Sequence, residues 1–134
     1  MRILAVAIAL GLAARLGAQE TAAPPGPAMV FFDWGEPDIR SDDSATLDKV
    51  ADAWRGRQTD RLRLAGHSDR SGGAAVNRAA GMRRALTVRA ELEKRGIPRN
   101  AMSIASFGED QPLVPTEDGV REVQNRRVEI AFEE

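Results

Sequence analysis

Hydrophobic and polar positions follow different periods along this chain, and each period predicts a different element. A β-branched and aromatic run at 29–32 predicts a strand, which the turn at 35–37 ends. Apolar side chains then recur three and four residues apart, which predicts a helix that ends at Gly56. Ser and Asp side chains at 41–44 are expected to cap its first turn. Its buried stripe is expected to hold Leu47, Val50, Ala51 and Trp54.

The rest of the chain repeats strands and one long helix. Alternation of polar and apolar residues predicts strands at 61–65 and 127–132. A third strand is expected at 102–107, where Gly108 ends it. The longest helix is expected from about Ala75 to Arg95, with 109–125 irregular apart from one helical turn. Its buried side is expected to hold Gly81, Ala85, Val88 and Leu92.

This order of elements favours one fold class. Strands that alternate with long helices require crossover connections, which predict a mixed sheet. We therefore expect an α+β fold, a two-layer β-α-β-α-β-β sandwich whose mixed four-stranded sheet carries both helices on one face. The polar positions Arg61, Arg63, Arg127 and Glu129 predict that the other face of the sheet meets water.

The first residues are typical of an export signal. One Arg precedes an apolar run at 3–14, which is too short to span a bilayer. We expect a signal peptide at 1–18, a Pro- and Ala-rich linker at 19–27 and a folded domain at 28–134, with no transmembrane segment in the mature chain. The expected location is the periplasm, in association with peptidoglycan. A peripheral position at the outer membrane is the alternative.

Composition removes several classes of function. The 19 basic and 20 acidic residues nearly cancel, so charge gives no argument for a nucleic-acid partner. Cysteine is absent, so neither a disulfide scaffold, a thiol nucleophile nor a lipobox is expected. The lone His67 is poor metal-site material, and no Gly-x-Ser-x-Gly motif is present. We expect no metal, no cofactor and no catalytic residue, and therefore a protein that is not an enzyme.

The chemistry concentrates in the loop at 66–73, which leads into the long helix. Helical spacing places Arg84 at the edge of the buried face, where an arginine needs a carboxylate partner. Asp69 is the natural partner or co-ligand, and periodicity alone leaves a structural salt bridge as an equal alternative. His67 is expected to hydrogen-bond a backbone carbonyl and fix the loop.

At these residues the chain resembles the OmpA-like peptidoglycan-binding domain, which is found in outer-membrane barrels, Pal lipoproteins and flagellar MotB. The matches run in order over about Met29 to Phe132. They comprise Val30-Phe31-Phe32-Asp33, Asp38 to Asp42, Leu47-Asp48, Gly66-His67-Ser68-Asp69, Asn77, Arg83-Arg84-Ala85, Gly96-Ile97, Phe107-Gly108-Glu109, Pro112 and Gln124 to Ile130.

The resemblance implies a ligand and a site. It implies that Asp69 and Arg84 clamp the zwitterionic end of diaminopimelate in the peptidoglycan stem peptide, with a carboxylate for the ammonium and a guanidinium for the carboxylate. The positions implied to support the clamp are Asp33, Ser68, Asn77, Asn125 and Arg126. The alternatives are an envelope adaptor that binds another protein, and a peptidoglycan hydrolase. Ala80-Gly81 departs from the family pattern and is expected to weaken the helix by roughly 1 kcal/mol.

Overall fold

Six regular elements form the domain in the computed structural model, which describes residues 27–57 and 60–133. In chain order they are β1 (Ala28–Phe31), α1 (Ser44–Arg55), β2 (Arg61–His67), α2 (Ala74–Lys94), β3 (Met102–Gly108) and β4 (Arg127–Glu133). Short 3-10 turns lie at Ser41–Asp43, Arg99–Ala101 and Val123–Asn125. The expected signal peptide at 1–18 and the linker up to residue 26 lie outside the described residues.

The four strands form one mixed sheet in the order β1-β4-β2-β3, which confirms the predicted fold class. β4 pairs antiparallel with both β1 and β2, whereas β2 and β3 run parallel. The register aligns apolar side chains across the sheet, because Ile130 lies opposite both Ala28 and Leu64, and Leu64 lies opposite Ile104. This row forms the floor on which the helices pack.

Both helices bury the predicted stripes. In α1 the buried positions are Leu47, Val50, Ala51 and Trp54, and in α2 they include Gly81, Ala85, Val88 and Leu92. These side chains meet the inward positions of the strands in one hydrophobic cluster. The helices therefore cover one face of the sheet, as the sequence predicts.

The start of α1 differs from its prediction. No side chain caps the helix, and the residue at the N-cap position is Asp43. Its carboxylate instead accepts a hydrogen bond of 2.7 Å from the backbone N–H of Phe31. The acidic residue thus satisfies the end of the edge strand β1 rather than the helix, and it ties the two elements together.

The open face of the sheet is only partly exposed to water. Arg61 and Arg63 are exposed as predicted, but Arg127 is buried. The loop after β3 covers it, because the Arg127 guanidinium donates to the carbonyl of Gln111 and to the carboxylate of Glu129. The prediction that Arg127 faces water is therefore wrong.

A pair of glycines sets the distance between α2 and the sheet. A Cβ atom at Gly66 in β2 would lie 2.6 Å from the carbonyl carbon of Gly81 and would overlap its oxygen. A Cβ atom at Gly81 would lie 2.9 Å from the Gly66 oxygen and would overlap the Ser106 hydroxyl. Gly81 therefore allows a close helix–sheet contact, which offsets the expected cost of a glycine inside the helix.

Candidate ligand-binding site

Asp69 lies just beyond the end of β2 and is buried, with 3% of its surface exposed. Its Oδ1 accepts from the hydroxyl and the backbone N–H of Ser71, and its Oδ2 accepts from the backbone N–H of Glu122 at 3.1 Å. A guanidinium N–H of Arg126 donates to the same Oδ2 at 2.7 Å. Burial opposes ionisation of Asp69, but these hydrogen bonds outweigh it and hold the pKa of the carboxyl below its ordinary value.

Arg126 joins two distant parts of the chain at this carboxylate. Besides its bond to Asp69, its Nε donates to the carbonyl of Phe32 at 2.9 Å, and the N–H of Phe32 donates to the carbonyl of Arg126. The residue precedes β4 directly and is itself buried. The sequence predicts only a supporting position for Arg126, whereas in the structure Arg126 forms the ion pair with Asp69 directly.

Arg84 lies on α2 and approaches the same end of β2. Its guanidinium donates to the carbonyl of His67 at 3.0 Å and lies over the Phe32 ring, 5.6 Å from the ring centre. Burial lowers the pKa of Arg84 to about 10, which the nearby Asp69 carboxylate partly opposes, and the group stays charged at neutral pH. Within residues 27–57 and 60–133, no carboxylate lies within salt-bridge distance of Arg84. Asp69 and Arg84 therefore do not form the direct salt bridge that the sequence left as an alternative.

A groove opens beside Arg84. It has a volume of about 360 Å³ and lies between the loop after β1 and the outer side of α2. Gly35, Glu36 and Pro37 line one wall, while Arg83, Arg84 and Thr87 contribute to the other. The half-buried guanidinium therefore has a free path from solvent along the groove.

The four other residues expected to support the site make different contacts. The Ser68 hydroxyl donates to the carbonyl of Asp69 and fixes the turn directly. Asn77 donates to the carbonyl of Gly72 and to Glu109, and so braces the loop before α2. Asn125 accepts from the N–H groups of residues 113 and 114 and braces the loop after β3. Asp33 is exposed, and its carboxylate lies 3.5 Å from the Arg40 guanidinium.

Two partners of Asp69 are absent from the sequence prediction. Ser71 had a recognisable signal, because an Asp side chain that accepts from the backbone two residues later forms an Asx turn. The Glu122 contact had none, since it uses a backbone N–H that lies 53 residues away along the chain. Such a contact depends on how the loop after β3 folds back, which no local pattern specifies.

His67 does not hold the loop through a hydrogen bond, so that prediction is wrong. Among the described residues neither ring nitrogen has a hydrogen-bond partner, and the ring stacks on Phe107 with centres 5.5 Å apart. Burial and the positive charge of Arg127 lower the pKa of His67 to about 4, against a smaller opposing effect of Glu129. The side chain is therefore neutral and acts as a packed ring.

This burial predicts an acid-sensitive stability. The unfolded chain protonates His67 near pH 6.5, whereas the folded chain excludes that proton down to about pH 4. The contribution of His67 to the free energy of unfolding is therefore fully present above pH 6.5 and is lost as the pH drops through this window, by roughly 2–3 kcal/mol at pH 4.5. Urea unfolding at pH 7.5 and 4.5 measures this loss. A His67→Gln variant should show less of it, and an equal loss in that variant would contradict the assignment.

The described part of the chain has neither a candidate membrane-spanning helix nor a candidate metal-ligand cluster. In residues 27–57 and 60–133, no helix combines the length and apolarity needed to cross a membrane. In that same part of the chain, no three His, Cys, Asp or Glu side chains cluster as metal ligands would.

The structure is an α+β two-layer domain, and a groove lined by charged residues lies beside Arg84, near the end of β2. The chain belongs to the OmpA family, whose model matches residues 31–126. An outer membrane protein of Gluconacetobacter diazotrophicus is 40% identical over 115 residues, 79% of this chain and 30% of that protein. This chain thus spans under a third of that relative's length.

Three further proteins are similar to this chain over most of its length. A peptidoglycan-associated lipoprotein of Rhizobium meliloti is 36% identical over 125 residues, 86% of this chain and 70% of that protein. The crystal structure of the peptidoglycan-associated lipoprotein from Burkholderia pseudomallei superposes with a TM-score of 0.73 at 25% identity, over 79% of this chain and 90% of that one. The C-terminal domain of Helicobacter pylori MotB shares the fold, with a TM-score of 0.69 at 22% identity over 82% of this chain and 85% of that one.

Proposed function

We propose that this domain binds peptidoglycan non-covalently in the periplasm of a Gram-negative bacterium, through the diaminopimelate of the stem peptide, and so contributes to the organisation of the cell envelope. Relatives named peptidoglycan-associated lipoproteins support the polymer as ligand. The observation that carries the proposal is the separation of the two charges. Asp69 is paired with Arg126, whereas Arg84 approaches the same strand end and has a carbonyl as its polar partner.

This arrangement suits a ligand that carries both charges. The free end of diaminopimelate presents a carboxylate and an ammonium on one carbon atom. The Arg84 guanidinium can donate its unpaired N–H groups to the ligand carboxylate, and that hydrogen bond is strong because both partners are charged. The Asp69 carboxylate offers the opposite charge a short distance away, since Arg84 contacts the carbonyl two residues before it.

Asp69 must exchange one of its present donors to take the ligand ammonium. The carboxylate accepts four hydrogen bonds, which is about the number of its lone-pair sites. Of the four donors, the Ser71 hydroxyl belongs to an exposed residue beside Gly72 and Gly73. We infer that the ligand ammonium replaces this hydroxyl on Oδ1, while Arg126 and the Glu122 N–H keep Oδ2 in place.

The strength of such a contact is modest. Hydrogen bonds to charged groups contribute about 1.5–3 kcal/mol each, and association itself costs several kcal/mol. One stem peptide should therefore bind with a Kd in roughly the micromolar to millimolar range. Firm attachment to the wall would require several stems to be held at once.

The test compares two tripeptides that differ in one group. Isothermal titration with L-Ala-D-Glu-diaminopimelate and with its lysine counterpart, which lacks the terminal carboxylate, isolates the contribution of Arg84. The wild-type domain should bind the diaminopimelate peptide about tenfold more tightly or better, because one charge-assisted pair is lost with lysine. An Arg84→Gln variant should bind both peptides equally. Equal affinity in the wild type would contradict the assignment of Arg84.

Sedimentation with purified sacculi tests the polymer itself. Asp69→Asn should reduce the bound fraction sharply, while the matched control Asp110→Asn, at an exposed ion pair with Arg78, should not. Arg99→Gln, at an exposed ion pair with Glu93, is the control for Arg84→Gln. If no variant changes the bound fraction, an adaptor role gains support, and the release of soluble muropeptides would instead indicate a hydrolase.

A further inference from the structure

Trp34 is a large aromatic side chain left half exposed beside the candidate site. It lies in the loop after β1 with 49% of its surface exposed. Trp54, the other of the two tryptophans, is 8% exposed and donates through its indole N–H to the carbonyl of Asp60. Trp54 therefore belongs to the hydrophobic core, and Trp34 does not.

Arg121 fixes the Trp34 ring on one side. Its guanidinium carbon lies 3.4 Å from the ring centre, so a cation–π contact covers one face of the indole and holds the plane in one orientation. The exposed half of the ring leaves its other face for a ligand. A ring that is already oriented loses little conformational freedom when it binds.

Short backbone links connect this ring to the buried carboxylate. Arg121 directly precedes Glu122, whose N–H donates to Asp69. Trp34 lies two residues after Phe32, whose carbonyl accepts from Arg126 and whose ring lies under Arg84. The ring is thus held at the rim of the site by the same network that orients Asp69.

We propose that the free face of Trp34 stacks on a sugar ring of the glycan strand that carries the bound stem peptide. The inference rests on the proposed function and extends it from the peptide to the glycan. Pyranose rings present faces of C–H groups, which pack on an indole face, and tryptophan suits a rim that is apolar on one side and wet on the other. The domain would then recognise the junction of peptide and glycan rather than the peptide alone.

The lengths of the two partners agree with this contact. Diaminopimelate is the third stem residue and its anchored end lies at the tip of its side chain, so the sugar lies roughly 15 Å from that end when peptide and side chain are extended. The Cα atoms of Trp34 and Phe32 are at most about 7 Å apart, and the Phe32 ring is 5.6 Å from the Arg84 guanidinium. A peptide anchored at Arg84 therefore carries its sugar into the reach of Trp34.

The experiment compares the diaminopimelate tripeptide with the same tripeptide on its N-acetylglucosamine–N-acetylmuramic acid disaccharide. The wild-type domain should bind the disaccharide form about five- to tenfold more tightly, the gain typical of one aromatic stacking contact. Trp34→Ala should remove that gain and leave the Kd for the bare tripeptide within about twofold. Leu113→Ala, which removes another exposed apolar side chain, is the matched control and should keep the gain.

Fluorescence provides a second readout in a Trp54→Phe background, where Trp34 is the remaining tryptophan. The disaccharide tripeptide should change the emission of Trp34 more strongly than the bare tripeptide does. Equal affinity of the wild type for both ligands, or a gain that persists in Trp34→Ala, would overturn the inference while the proposed function stands. If neither ligand binds the wild type, the proposed function fails and this inference fails with it.

Discussion

Replacing Arg126 by methionine should lower the free energy of unfolding by about 3–5 kcal/mol and abolish binding of the diaminopimelate tripeptide. Arg126 and Asp69 are both buried, and the ion pair between them, at 2.7 Å, neutralises the charge of Asp69. Without the guanidinium, a carboxylate remains in a site that opposes its ionisation, and the carbonyl of Phe32 loses its donor. Urea unfolding at neutral pH measures the loss of stability, and titration with the tripeptide measures the loss of binding.

Two comparisons separate this effect from a general loss of charge. Arg78→Met removes an exposed partner of Asp110 and should cost less than about 1 kcal/mol. The double variant Arg126→Met, Asp69→Leu should recover part of the stability, because it removes both buried charges, yet it should not recover binding. If Arg126→Met alone were as stable as the wild type, the buried ion pair would contribute little to the free energy of unfolding.

Gly66→Ala should destabilise the domain by about 3 kcal/mol or more, which is at the upper end for added volume in a packed interior. The new methyl group would overlap the backbone of Gly81, and backbone cannot rotate away as a side chain can. To make room, α2 would have to move off the sheet and would carry Arg84 with it. Thermal unfolding and tripeptide titration should therefore both register the change.

Gly56→Ala provides the matched control. Gly56 has a φ of −79°, which alanine adopts readily, and the nearest atom to its new Cβ would lie 3.6 Å away. This variant should be more stable by about 0.4–1 kcal/mol, because alanine restricts the unfolded chain. If Gly66→Ala and Gly56→Ala change the melting temperature equally, close approach at Gly66 is not what limits the packing of α2.

Periodicity predicts the elements of this fold well, because hydrophobic burial determines them. The stripe from Leu47 to Trp54 and the alternation in β2 and β4 each specify which side of an element is buried. Contacts of single polar groups were less predictable. Asp43 satisfies β1 instead of α1, and Arg127 is buried because a loop covers it. Both outcomes depend on which distant segment of the chain packs against the polar group.

The same division applies to the site. The position of Arg84 at the edge of the buried face follows from helical spacing, and the polar loop indicates Asp69. Which charge pairs with which does not follow, because Arg126 and Arg84 both reach the end of β2 and Asp69 bonds to the former. Local sequence could not show that Phe32, Arg126 and Glu122 meet there, since the contacts cross the whole domain.

The position of β4 in the sheet determines when the domain can fold during synthesis. β4 follows the other three strands along the chain, yet it lies between β1 and β2, and β1 pairs with no other described strand. A ribosome therefore releases both helices and three strands before the strand that joins them. Until β4 arrives, β1 has no sheet to join and Asp69 has no Arg126. We expect the core to close only after β4 has been synthesised, so that this domain folds late and in one step.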